Sequence, residues 1–411
     1  MTIDSDADTV VNSLGAGRRC LRVAVVTETY PPEVNGVAAT IARVVDGLHA
    51  RGHDLQLVRP RQGHHDRPDS EARLQHWLVP GLPIPRYPQL KMGWPCKRSL
   101  VHGWSRHRPD VVHVVTEGPL GWSALQAAAH LKVPVVSDFR TNFQAYCSHY
   151  GLAWLRGPVM AYMRSFHNRT ACTMVPTERL RSDLAANGFK RLKVVSRGVD
   201  TRLFDASRRS AALRAGWGAV QRTPVLLYVG RLAAEKNLDL LLTAFEAVQA
   251  VAPEARLVLV GDGPDRAALA QRCPRAVFAG VRRAEDLAAH YASADIFLFP
   301  SVTETFGNVV PEAMASGLAV VAFDHAAAGQ LIRHGENGLL VRLQDRESFC
   351  DVARGLVSEL PRARALGAQA RLTACRLDWG QVVDAVEAEY SAAMRPAGWA
   401  PQADWSASAA A

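Results

Sequence analysis

Short valine-rich apolar runs recur along this chain between residues 21 and 343, each followed by an amphipathic stretch. That alternation is the βαβ rhythm. Strands that lie under helices on both faces read as near-continuous apolar runs, so the pattern commits the chain to parallel sheets covered on both sides. The first set of runs is Leu21–Thr27, Asp54–Arg59, Val111–Val115, Val133–Ser137, Cys172–Val175 and Lys193–Ser196. The rhythm breaks at Arg197-Gly-Val-Asp-Thr-Arg-Leu-Phe204. It resumes with Pro224–Gly230, Arg256–Val260, Ala276–Ala279, Asp295–Phe299 and Leu318–Phe323. The expectation is an α/β chain of two doubly wound units with the boundary between Gly198 and Phe204, and 411 residues suit two such domains. A helical pattern runs from near Gly36 to His49, and another from Trp379 to Met394 through Val382, Val383, Val386 and Tyr390. Residues 61–95, rich in Pro, His and Arg, read as loops or surface elements inserted in the first domain. The predicted organisation is a disordered leader over 1–19, domains over 20–200 and 201–378, a helix crossing back over 379–395, and a tail over 396–411.

Composition narrows the function classes. At 48% hydrophobic and 21% charged the chain has enough apolar residues for substantial cores, and no apolar run reaches the ~18 residues of a membrane span. The first residues lack a basic segment followed by an apolar one, so a secretory signal is not expected. Seven scattered cysteines form no CxxC or Cys/His cluster, which supports neither zinc nor a disulfide framework and predicts a reduced, cytoplasmic setting. The net charge is +9, and Arg51 to Asp110 holds eleven Lys/Arg against five Asp/Glu. That face is either a solvated surface or one drawn to anionic lipid. Nucleic-acid binding is not expected, for there is no aromatic-studded ribonucleoprotein-type stretch and no zinc-finger pattern. Lys97-Arg-Ser-Leu-Val-His-Gly-Trp104-Ser-Arg106-His-Arg108 spaces basic and apolar residues as a helix would, and suits either an anionic membrane surface or the core.

The chemistry concentrates at strand ends. Ser301-Val-Thr-Glu304-Thr-Phe-Gly-Asn-Val-Val-Pro-Glu312-Ala-Met-Ala-Ser-Gly317 follows an apolar strand, and its two carboxylates stand eight residues apart across a Gly-containing loop that opens a helix. Unpaired amides at such a terminus attract anions. Carboxylates beside it accept strong hydrogen bonds from hydroxyls, so the segment suits a ligand that is both phosphate and polyol. Glu28-Thr-Tyr-Pro-Pro-Glu-Val-Asn35-Gly36 ends the first strand, and Gly36 serves either a tight turn or close approach of a phosphate. Gly230-Arg231-Leu-Ala-Ala-Glu-Lys236 sets two cations five residues apart after another strand, suited to a diphosphate unless they are merely solvated. The glycines of Val260-Gly261-Asp-Gly263-Pro264 are expected to serve the turn itself.

In this order, Pro-Pro-x-x-Asn-Gly36, Gly230-Arg231-x4-Lys236, Gly261-Asp-Gly-Pro and Glu304-x7-Glu312 with Ala-Met-Ala-Ser-Gly317 resemble the retaining glycosyltransferases of family 4 across residues 20–395. Within that family, the Val-Ser-Arg-Gly-Val-Asp200 turn and Thr141-Asn-Phe143 make the chain similar to lipid-directed mannosyltransferases and to glucosyl or sulfoquinovosyl diacylglycerol synthases. The resemblance implies the GT-B fold, two Rossmann-like domains facing a cleft, with the acceptor on the first and the nucleotide-sugar on the second. It implies that Gly36 amides, Arg231 and Lys236 bind the donor diphosphate and that Glu304 holds donor-sugar hydroxyls. It also implies that Phe306, Gly307, Asn308 and Val309 offer backbone amides, that Glu312 takes the ribose hydroxyls, and that Val281 lies near the base. Arg140 departs from the pattern, since many members carry a histidine there that contacts the donor sugar. An arginine stays protonated and is no base. It either holds a phosphate or an anionic sugar of the donor, or pairs with Asp138.

The function expected from this resemblance is retaining hexosyl transfer, from GDP-mannose first, to a lipid or glycan acceptor at the inner face of the membrane, without metal or cofactor. A UDP-sugar diacylglycerol glycosyltransferase is the alternative. A dehydrogenase is not expected, because the first strand of this chain is not followed by the G-x-G-x-x-G that such enzymes need, and a non-catalytic nucleotide-binding module is the other rival.

Overall fold

The computed structural model describes residues 20–395 apart from 34, 64–65, 68–69, 85–86, 141–155 and 221. The expected leader over 1–19, the tail over 396–411 and the Thr141-Asn-Phe143 segment lie outside the described residues. The first sheet uses β1 (Arg22–Val26), β2 (Asp54–Pro60), β3 (Ser70–Glu71), β4 (Leu74–Val79), β7 (Val111–Val114), β8 (Val135–Asp138), β9 (Cys172–Val175) and β10 (Leu192–Val194). A separate antiparallel hairpin, β5 (Gly81–Ile84) and β6 (Tyr87–Gly93), interrupts the series. The order across the sheet is β10-β9-β8-β7-β1-β2-β4-β3, parallel except for β3. The second sheet uses β11 (Val225–Val229), β12 (Arg256–Val260), β13 (Val277–Gly280), β14 (Ile296–Phe299), β15 (Ala319–Phe323) and β16 (Leu339–Val341), in the order β13-β12-β11-β14-β15-β16, with every pair parallel. Both sheets are Rossmann-like and reverse winding direction beside their first strand, at β7/β1 and at β11/β14. In open α/β sheets such a reversal leaves a crevice beyond the carboxyl ends of the strands.

The central strands form because their valines and leucines are buried on both faces. Val23, Val25 and Val26 in β1 and Leu226, Leu227 and Tyr228 in β11 are fully inaccessible. Each buried aliphatic side chain contributes roughly 1.5–3 kcal/mol relative to exposure. The helix Trp379–Ala393 sets Val382, Val383, Val386 and Tyr390 into the core of the first sheet. Gly47, on the helix Gly36–Ala50, makes room for it, for a Cβ there would stand 2.5 Å from Val383 Cγ2. Arg51 Nη2 donates to Gly380 O at 2.8 Å, and His53 Nε2 lies 2.6 Å from Glu387 Oε1. The chain that leaves the second sheet is thereby fastened to the first.

One expectation needs correction, and of the two readings of residues 97–108 the core one holds. Residues 61–95 are not only loops: β4 pairs parallel with β2 from Leu74↔Leu55 to Val79↔Pro60. Its sequence, Leu-Gln-His-Trp-Leu-Val, is interrupted by polar residues because it lies near the sheet edge, partly exposed, so it lacks the apolar signature of a central strand. The helix Lys97–Arg106 buries Leu100 and Trp104 against the first sheet, and Gly103 lets the Trp77 ring close over it, with a Cβ site 2.5 Å from Cζ3. Its apolar face belongs to the core, while Lys97, Arg98 and Arg106 face solvent. Among the described residues no helix is long and apolar enough to cross a membrane.

Candidate functional site

Loops after β11, β12 and β14 meet at the winding reversal of the second sheet. Leu232 N donates to Asp262 O at 2.9 Å, and Asp265 N donates to Leu232 O at 3.0 Å. The glycines of the Gly261-Asp-Gly turn permit this approach. A Cβ on Gly261, at φ 137°, would stand 1.9 Å from Gly230 O, and one on Gly263 would stand 2.2 Å from Leu232 O. They serve packing between loops, as the turn reading expects. The loop after β14 is tied to the same group, because Thr303 Oγ1 donates to Glu235 O at 3.0 Å and Asn237 Nδ2 donates to Pro300 O at 3.2 Å.

That arrangement brings Lys236 and Glu304 together. Lys236 Nζ donates to Glu304 Oε1 at 2.5 Å, and Ser301 Oγ donates to the same oxygen at 2.8 Å. Burial alone would raise the Glu304 carboxyl, but the charge of Lys236 and the two hydrogen bonds outweigh it and hold it below the ordinary carboxylate range. Arg231 forms an ion pair with Glu235, a fully buried carboxylate, through Nε at 3.1 Å and through Nη2. Glu312 sits in the first turn of the helix Val309–Ala315, where Tyr291 OH donates to Oε2 at 2.9 Å. Its burial is not offset by a cation, so its pKa is pushed up to about 7. Phe306 is buried, and its carbonyl accepts from Ala327 N at 2.8 Å. Gly307 has φ 91°, a left-handed turn that suits glycine. Val309 opens the helix, and Val281 stands half-exposed just beyond β13.

Opposite this cluster lies the helix Gly36–Ala50, capped by Asn35, whose Oδ1 accepts from Ala38 N at 2.8 Å. Asn308 reaches across, its Nδ2 donating to Gly36 O at 3.3 Å and to Thr40 Oγ1 at 3.1 Å. A Cβ on Gly36 would stand 3.5 Å from that nitrogen, an ordinary contact. Gly36 and the Phe306–Val309 loop therefore face each other across the cleft. Arg140 is elsewhere in the first domain, two residues past β8. It is buried and bound to Asp138 Oδ2 through Nε at 2.7 Å and through Nη2, so the pairing considered from sequence is present.

Several site residues escaped the sequence reading. Glu235 stands four residues after Arg231, a common spacing for an ion pair and the signal that points to it. Ser301, Tyr291 and His325 gave no local signal. His325 lies beside the cluster, with Nε2 donating to Glu304 O at 3.2 Å, and its buried Nδ1 has no hydrogen-bond partner. At the end of β1, Glu28 Oε1 accepts from Leu120 N at 2.9 Å, yet burial pushes its pKa up to about 7, with the nearby Glu117 adding to the rise. Among the described residues no group of three or more His, Cys, Asp or Glu is gathered as a metal site would require.

Comparison with known proteins fits this geometry. The family model described as Glycosyltransferase Family 4 matches residues 34–203, and that described as Glycosyl transferases group 1 matches residues 223–359. A GDP-mannose-dependent alpha-mannosyltransferase of Mycolicibacterium smegmatis is 35% identical over 91% of this chain and 98% of its own length. A sulfoquinovosyl transferase of Arabidopsis thaliana is 32% identical over 91% of this chain and 74% of its own. Among solved structures, sucrose-phosphate synthase from Thermosynechococcus elongatus matches with a TM-score of 0.74 over 90% of this chain and 98% of that one, at 18% identity, a likeness of fold.

Proposed function

Because this chain belongs to glycosyltransferase family 4 and has its GT-B fold, we propose that it transfers mannose from GDP-mannose, with retention, to a lipid or glycan acceptor. The observation that carries this reading is the contact of Lys236 Nζ with Glu304 Oε1 at 2.5 Å, beside a helix N-terminus at the winding reversal. One group suits a phosphate and the other a sugar hydroxyl, side by side where a nucleotide-sugar would present both. The name of the Mycolicibacterium relative supports the choice of donor.

In this reading Arg231, oriented by Glu235, and Lys236 face the diphosphate together with the amides of Gly36 and of the Gly307–Val309 turn. Glu304 holds sugar hydroxyls, Glu312 accepts from the ribose, and Val281 borders the base. The acceptor oxygen forms the new bond to the anomeric carbon as the bond from that carbon to the diphosphate oxygen breaks. The acceptor proton passes to the departing phosphate. Fixed positive charge and oriented amides stabilise the negative charge that develops on the leaving group, so the chain's own residues supply this electrostatic work without a metal.

The test is thermal stabilisation by GDP and by UDP, since a ligand that binds only the folded state raises its stability. It is paired with release of GDP from GDP-mannose in the presence of lipid extract. Stabilisation by GDP and turnover that disappears in Lys236→Ala are expected; binding that persists without any turnover would instead make the chain a binding module. A second reading, transfer from a UDP-sugar to diacylglycerol, is favoured by the name of the Arabidopsis relative and predicts a shift with UDP alone.

A further inference from the structure

The carboxyl ends of β8, β9 and β10 hold a second charged cluster, on the first domain. Asp138 closes β8, Arg140 follows it, and Arg197 lies just past β10. All three are buried. Asp138 Oδ2 is 2.8 Å from His113 Nε2 and 2.7 Å from Arg140 Nε, and also accepts from Arg140 Nη2. His113 Nδ1 is in turn 2.7 Å from the hydroxyl of Tyr390, on the helix that crosses back. Arg140 Nη1, although buried, has no hydrogen-bond partner. The cluster therefore sets two guanidinium groups against one carboxylate, and one donor of the first guanidinium is unspent.

An unbalanced buried cation is costly unless something neutralises it, and a buried donor without an acceptor adds to that cost. The Arg197 guanidinium registers the imbalance: burial first, then the Arg140 charge, press its pKa down to about 9, and Asp138 only partly opposes them. The cluster also borders the cleft. Ser196, next to Arg197, accepts from Gln330 Nε2 of the second domain at 3.3 Å, and Arg179 Nη1 donates to Asp324 O at 3.0 Å on the same seam. Asp324 adjoins His325, which bonds the Glu304 carbonyl.

We propose that Arg140 and Arg197 together form a seat for an oxyanion, a carboxylate, phosphate or sulfonate, carried by the head group of the acceptor. This rests on the mannosyl reading above, because mannose is neutral and the donor diphosphate is met by Arg231 and Lys236 on the other domain. A planar guanidinium with a spare N–H and a second guanidinium beside it match an oxyanion's spread oxygens better than a single ammonium would. The anion would restore charge balance and take the hydrogen bond that Arg140 Nη1 lacks.

The full chain, saturated with GDP so that the diphosphate site is filled, is titrated with sodium sulfate against sodium chloride at equal ionic strength, and thermal unfolding is followed. Sulfate should stabilise it beyond chloride. Arg197→Gln should lose that gain while keeping its stabilisation by GDP, and should unfold no earlier than wild type without sulfate, since it removes the unbalanced charge. Arg197→Lys keeps the charge but not the fork, and should bind sulfate about tenfold more weakly. If Arg197→Gln fails to fold, this lysine variant decides the matter. No sulfate gain in wild type, or an equal gain in both variants, overturns the proposal. In a parallel arm, sulfate should leave the affinity for GDP-mannose unchanged. Competition with GDP-mannose would place the anion at the donor sugar and overturn the acceptor assignment. Loss of the GDP response with the sulfate response intact would instead count against the mannosyl reading alone.

Discussion

If Glu312 accepts the ribose hydroxyls as proposed, it should couple nucleotide binding to pH, and the size of the effect follows from its surroundings. Its carboxyl is buried with Tyr291 OH as a hydrogen-bond donor and no cation in contact, and burial pushes its pKa from the usual 4.5 up to about 7. A ribose diol donates hydrogen bonds, so it favours the carboxylate. If only that form binds GDP, affinity should weaken about tenfold between pH 8 and pH 6, the factor for titrating one group with a pKa near 7. The phosphate of GDP titrates in the same range, so Glu312→Gln is measured alongside and its pH profile subtracted by ratio. Stability moves the opposite way. A carboxyl whose folded pKa is raised stabilises the fold fully below the unfolded value, and the contribution is lost as pH rises through the folded one. The window here runs from 4.5 to about 7, and the loss is on the order of 3 kcal/mol. Glutamine keeps an acceptor for Tyr291 and cannot ionise. The ligand-free variant should therefore melt several degrees higher than wild type at pH 8, match it near pH 4.5, and bind GDP weakly at both pH 6 and pH 8. Isothermal titration and thermal scans at the three pH values read both effects. A variant no more stable than wild type at pH 8, or a wild type whose GDP affinity follows the variant's profile, would refute the reasoning.

Lys236→Ala should lower kcat/KM for GDP-mannose by about 10²–10³, because the diphosphate loses a cation and Glu304 loses the charge that keeps it ionised; activity within a few-fold of wild type would count against the roles assigned. Gly261→Ala, which places a Cβ 1.9 Å from Gly230 O at φ 137°, should cost ~2–4 kcal/mol in chemical denaturation and weaken GDP binding by displacing the Arg231 loop. Asn308→Ala removes both hydrogen bonds across the cleft, and small-angle scattering in the absence of ligand should show a larger radius of gyration than wild type. Turnover should be unchanged in excess chelator; a loss restored only by Mg²⁺ or Mn²⁺ would show that the electrostatic work is shared with a metal.

How far the sequence could be read depended on what each feature needed from distant residues. Cys172–Val175 and Arg256–Val260 coincide with β9 and β12, since a strand covered on both faces must be apolar along its whole length. β4 and the three-residue β16 escaped notice, one because polar residues interrupt it near an edge, the other because three residues carry no period. In the candidate site, Arg231, Lys236, Glu304 and Glu312 stand out in the sequence because they follow strand ends and open helices, where open α/β sheets place their ligands. Their partners were not. Lys236 meets Glu304 from 68 residues away, Tyr291 meets Glu312 from 21, and Asn308 meets Thr40 from 268. Such pairings belong to the packing of loops on one another, which no local spacing encodes. The pairing of Arg140 with Asp138 is one of the two readings the sequence offers, because the two stand two residues apart.

The two charged clusters differ in how they meet a ligand. Lys236 with Glu304 and Arg231 with Glu235 balance cation against carboxylate, so a diphosphate arriving there must share or exchange partners that are already engaged. That arrangement keeps the cations oriented without leaving their charge exposed to the full cost of desolvation, and it keeps Glu304 ionised and ready to accept hydroxyls. Asp138, Arg140 and Arg197 leave one positive charge and one N–H in excess, so an anion arriving there completes the cluster rather than competing within it. A donor that binds by exchange and an acceptor that binds by completion would divide the labour between the two domains. The second sheet would hold a nucleotide-sugar by groups whose charges are balanced beforehand, and the first would select an acceptor for the charge it brings.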